Sequence, residues 1–168
     1  MIRSFEGAVP AIADSAYVDE AAVVVGDVTV GEEANVWPNA TIRGDSGPIR
    51  VGARATVQDN TVLHGEVDLA ENAAVGHGGV VNQATVGEDA LVGINATVLD
   101  DADVGDRAIV AAGAVVTEGT VVPPETLVAG VPAEHRKDLD GDETSARAPY
   151  YAELGDRHRR NSEPVDER

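Results

Sequence analysis

The 168-residue chain is long enough for one domain with a real core, but its 43% hydrophobic content is mostly valine and alanine, with 3% aromatics. That composition suits a narrow, repetitive interior better than a sandwich or helical bundle, which needs larger side chains to fill it. The formal net charge of -18, with Lys137 as the one lysine, gives a surface that repels nucleic acid and anionic membranes. It also fits adaptation to high salt, where screening removes self-repulsion. The absence of cysteine excludes disulfides, thiolate metal sites and a cysteine nucleophile. No apolar run approaches membrane-spanning length and no leader pattern opens the chain, so a soluble cytoplasmic protein is expected.

Residues 1–10 form a short lead-in. From Ile12 onward, aliphatic residues recur every sixth position: Ile12, Val18, Val24, Val30, Val36 and Ile42. The series breaks at residues 43–50 and resumes through Val51, Val57, Leu63, Leu69, Val75 and Val81. A step of five leads to Val86, and Val92, Val98, Val104, Val110, Val116, Val122 and Val128 follow. Alanine often stands two residues before the aliphatic, as at Ala22, Ala40, Ala55, Ala90, Ala96 and Ala108, and glycine often follows it. A 3.6-residue period cannot hold these positions on one face, whereas short strands with Gly, Asn and Asp corners can.

This self-similarity marks an all-β solenoid. It resembles the hexapeptide-repeat left-handed parallel β-helix, whose hand is implied by the resemblance. Three strands per coil stack coils about 4.8 Å apart. The solenoid is expected over residues 1–135, a polar linker over 136–145, a C-terminal α-helix packed on the solenoid over 146–160, and a mobile tail over 161–168. Tyr150, Tyr151 and Leu154 are expected on the apolar side of that helix.

The repeat also positions the candidate chemistry. Leu63 and Val81 are 18 residues apart, so His64 and Asn82 stack on adjacent coils. His77 falls on a different face near a corner, so one chain does not unite the three; neighbouring subunits of a homotrimer would. His135 and His158 lie outside the repeat and read as surface residues.

The segments Thr61–His64, Val75-Gly76-His77, Arg43-Gly44-Asp45 and Gln58-Asp59, with the irregularities at 43–50 and 81–86, together resemble the γ-class carbonic anhydrase family. The likeness covers about residues 7–137 and the C-terminal helix. It implies metal ligands at His64 and His77, from different subunits, with Asn82 at the third ligand position where the family has histidine. It implies a divalent cation, zinc with iron or cobalt as alternatives, whose bound hydroxide attacks CO2 to give bicarbonate, a lyase reaction. It also implies an intersubunit Arg43–Asp45 pair and Gln58 orienting the hydroxide. The Arg43–Asp45 pair also reads as a purely structural bridge, and Asp59 as a corner residue. Glu66 is a candidate proton shuttle. Asn82 departs from the family because a carboxamide oxygen is a weaker zinc donor than imidazole. Two other functions remain open: an acyl-CoA-dependent hexapeptide acyltransferase with a histidine base, and a non-enzymatic structural homologue.

Overall fold

A computed structural model describes residues 1–140, 143 and 147–163. The chain winds into a left-handed parallel β-helix of about seven turns with one C-terminal helix. Its three faces follow from the six-residue period. Ile12, Val30, Val51, Leu69, Val86, Val104 and Val122 stack on the first face. Val18, Val36, Val57, Val75, Val92, Val110 and Val128 stack on the second. Val24, Ile42, Leu63, Val81, Val98 and Val116 stack on the third. From Val24 onward each of these side chains is at most 5% exposed, so valine supplies a core too narrow for aromatics. β-Branched residues also favour the extended backbone that each short strand requires.

The corners need a left-handed residue three positions after the aliphatic. Asn39, Asn60, Asn72, Asp89, Asn95 and Asp101 supply it with φ between 57 and 61° or, for Asn95, 55°. Asn and Asp tolerate this region because their short side chains bond locally. Arg54 and Arg107 also occupy it, and each is tied to the next coil: Arg54 Nε donates to Asn72 Oδ1 at 3.0 Å and Arg107 Nε to Glu125 Oε1 at 2.9 Å.

Two irregularities shape the site. The strands Val23–Val30 and Thr41–Val51 pair with an offset of 18 at Val24↔Ile42 but 21 at Val28↔Ile49. The three extra residues push Asp45 and Ser46 outward. On the coils below, Thr85 pairs with Asp68, 17 residues away, where the chain steps by five.

The chain reverses after the last coil. Strand Glu134–Asp138 pairs antiparallel with Thr126–Ala129. Residues 136–138, expected in the linker, therefore extend the sheet; the open edge of the last coil offers backbone groups that the returning chain satisfies. Of the remaining linker, residues 141, 142, 144 and 145 lie outside the described residues, as does 146, expected to start the helix.

The helix, Arg147–Asn161, lies across Tyr17–Val18, Asn35–Val36 and Thr56–Val57. Ala148 and Gly155 are its buried residues. A Cβ on Gly155 would stand 3.2 Å from the Cβ atoms of Tyr17 and Asn35, so glycine lets the helix approach closely. Tyr151 and His158 meet the Trp37 ring at 6.0 and 5.2 Å. The packing stripe is thus 148, 151, 155 and 158, at helical spacing. Two sequence expectations are corrected here. Tyr150 is 59% exposed, leaning on Tyr151 rather than on the solenoid, and His158 is an interface residue. The mobile tail was expected from 161, but Asn161 is still helical; residues 164–168 lie outside the described residues. Among the described residues, no helix is long and apolar enough to cross a membrane.

Candidate functional site: two oriented histidines

Strand pairing sets His64 beside Asn82 in register on consecutive coils of the third face, as the period requires. Asn82 Oδ1 lies 3.0 Å from His64 Nδ1, and Asn82 Nδ2 donates to Asp100 Oδ1 one coil further on. With the amide NH2 directed at a carboxylate, its oxygen is the acceptor, and His64 carries its proton on Nδ1. Nε2 then accepts from Arg43 Nη2 at 2.8 Å, with Ser46 Oγ also near it at 3.0 Å.

The three extra residues of Thr41–Val51 explain these last contacts. They bring Ser46 and Asp45 out over His64, with Asp45 Oδ1 3.6 Å from Nε2. Arg43 Nε pairs with Asp45 Oδ2 at 3.2 Å within the chain. Positions two apart on one bulging strand allow the short intrachain reach.

His77 stands past strand Ala74–Val75 on the second face. Its Nδ1 lies 2.8 Å from Asp59 Oδ2, and its backbone N–H donates to Gln58 Oε1 at 3.2 Å. Gln58 is 5% exposed. Gly76 fixes this backbone, since a Cβ there would sit 2.9 Å from Ile94 N. Thr61, fully buried in the small-residue column, donates from Oγ1 to Gly76 O at 3.1 Å. Asp59 is thus more than a corner residue: it orients His77.

One chain brings together Arg43, Asp45, His64 and Asn82 as one cluster and Gln58, Asp59 and His77 as another. No hydrogen bond joins the two clusters among the described residues. Within those residues, no group of three or more His, Cys, Asp or Glu is arranged to hold a metal. The donor chemistry fits a cation in part. Each imidazole gives its Nδ1 to an oxygen, which is how metal-ligating histidines are commonly oriented. Asn82 fits less well as a third ligand, because both ends of its carboxamide are engaged inside the chain.

Ser46, Thr61 and Asp100 are the additions that sequence reading missed. Asp100 had no register count behind it: Asn82 pairs with His64 at 18, but the coil after the five-residue step pairs at 17, as Val81 with Val98. Ser46 had only its place in an irregular segment. Glu66 is exposed and makes no side-chain hydrogen bond or ion pair with the histidines.

Comparison with known proteins agrees with the repeat. Residues 84–118 match a family described as bacterial transferase hexapeptide (six repeats). The carnitine operon protein CaiE of Proteus sp. (strain LE138) is 38% identical over 92 residues, which cover 52% of this chain and 47% of that protein. The chain thus matches about half the length of that curated relative. A Bacillus cereus protein provisionally described as an acetyltransferase superposes with a TM-score of 0.92 at 33% identity, over 95% of this chain and 96% of the other. A hexapeptide transferase family protein from Anaplasma phagocytophilum gives 0.89 at 30% identity, over 92% and 95% of the two chains.

Proposed function

This chain belongs to the hexapeptide-repeat transferase superfamily, and from that premise we propose a γ-carbonic-anhydrase-like function: reversible hydration of CO2 to bicarbonate at sites between the subunits of a homotrimer. One observation carries this reading. His64 and His77 each have Nδ1 beside an oxygen acceptor, at 3.0 and 2.8 Å, which leaves Nε2 as the ligating nitrogen, for His64 once Arg43 and Ser46 release it. His64 of one subunit and His77 of its neighbour would hold the cation, zinc or alternatively iron or cobalt. A bound divalent cation supplies Lewis-acid activation of water near neutral pH.

The chain's own groups do the rest. Asn82 and Asp100 hold His64 in the Nδ1–H tautomer. Asp59 does the same for His77, and Gln58 anchors that residue's backbone. Arg43, Ser46 and Asp45 line the His64 side. When His64 Nε2 turns to a cation, Arg43 and Ser46 become free to donate to the anionic product, bicarbonate. Asn82 takes the third ligand's place in sequence while serving as a positioning residue. The test is CO2 hydration by the metal-loaded protein, with His64→Ala and His77→Ala each expected to remove activity. Full activity in either variant would overturn the reading.

The engaged Asn82 carboxamide favours a second reading, an acyl-CoA-dependent acyltransferase. In that chemistry His64 needs no metal: with Nδ1 fixed, its Nε2 takes the proton of an acceptor hydroxyl or amine. An acyl-CoA that raises the unfolding midpoint would support this alternative.

A further inference from the structure

The helix covers only the upper coils of the second face. Below its first turn, the outward column continues through Leu91 and Ile109, and a groove of about 470 Å³ opens there. Gln58 and His77 line one end, and Arg147, Tyr150 and Tyr151 line the helix side. That volume lies in the range of small-molecule sites. Most of its wall is apolar, and Ile94, on its rim, is 49% exposed. Among the described residues, the buried Arg147 Nη1 has no hydrogen-bond partner. A buried guanidinium N–H left unpaired is costly, and a planar carboxylate is the partner its fork fits. In a chain of net charge -18, this cation beside an apolar wall has a specific complement.

We propose that this groove binds an organic monocarboxylate with an apolar body. The carboxylate pairs with Arg147, and the body lies on Leu91, Ile94 and Ile109. A monoanion is favoured over a dianion because, among the described residues, a single guanidinium lines the groove and Asp59, bonded to His77, adds negative charge at its far end. The site adjoins the proposed catalytic histidine but does not depend on a cation being there.

The test is calorimetric titration of the full-length protein with hexanoate and with hexanamide, its neutral counterpart. Hexanoate is expected to bind about tenfold more tightly, the effect of one charge-assisted hydrogen-bonded pair. Arg147→Gln removes the difference, and Ile109→Ser weakens both ligands alike without touching the helix. Equal binding of acid and amide by the wild type would overturn the proposal. So would a difference that survives Arg147→Gln, or Ile109→Ser binding like wild type. Repeating the titration on chelator-treated protein separates the two sites. Hexanoate binding that survives stripping sustains the groove; binding lost with the metal puts the carboxylate on the cation, overturning the groove while leaving the histidine reading intact.

Discussion

His64 Nδ1 lies 3.0 Å from Asn82 Oδ1, and the same carboxamide turns its NH2 to Asp100, so three consecutive coils form one polar ladder at positions 64, 82 and 100. The ladder changes what Asn82 means. At a position where a third ligand is expected from the resemblance, the residue hydrogen-bonds the imidazole of the first. Removing it is expected to cost function more than stability. Asn82→Ala should lower activity or metal affinity roughly 10- to 100-fold, the range for partners that orient a ligating histidine. Its unfolding free energy should fall by only about 1 kcal/mol. Asp100→Ala should act in the same direction but less. Kinetics and urea unfolding of the two variants check this.

Gly76 makes a different prediction, about packing. A methyl group there would press on Ile94 N and Gly93 C, at 2.9 and 3.1 Å, and both are backbone atoms that cannot swing aside. Gly76→Ala should therefore cost about 1–3 kcal/mol, as overpacked sites do. Because His77 is the next residue, its activity should fall beyond what the lost stability explains. Unfolding midpoints measured beside turnover separate the two effects.

Helix docking has a pH signature. Burial, and then the Asp19 carboxylate that accepts its hydroxyl proton at 2.7 Å, push the Tyr17 phenol well above its ordinary range. The folded state thus holds this proton more tightly than the unfolded chain. The resulting stability is complete below the unfolded pKa, about 10, and is lost as pH rises from there through the folded value. Tyr17→Phe should lower stability by about 1 kcal/mol at neutral pH and flatten its decline above pH ~10. Urea midpoints across the alkaline range give the comparison.

The charge of -18 sets the salt response. Self-repulsion among solvated carboxylates fades as the screening length falls to about 3 Å at 1 M salt. The melting temperature should therefore rise steadily from low to molar potassium chloride. A flat or falling midpoint would contradict salt adaptation.

Much of this architecture was legible because the solenoid repeats one rule. A residue and its partner 18 positions on must stack, so His64 beside Asn82 followed from counting. Asp100 escapes it, because the five-residue step after Val81 makes that residue pair with Val98, 17 positions on. What counting missed lies where the rule lapses. Asp45 and Ser46 reach His64 because three extra residues lift them off the face, and how far they lift depends on tertiary packing. The helix stripe was misjudged at Tyr150, which carries more apolar surface than Gly155 or His158. The Trp37 indole instead selects residues that fit against it, namely Tyr151, His158 and a glycine allowing close approach. Strand Glu134–Asp138 was hidden by its charged composition, which both exposed faces tolerate.

The most direct test of the shared two-histidine site is the metal content of the purified assembly, measured for the wild type and for Asn82→His. The account predicts that Asn82→His carries about one divalent cation per subunit, as a completed three-imidazole site should. The wild type should hold the same metal more weakly, losing it first to chelator. No metal in either protein would contradict the assignment of His64 and His77 as ligands.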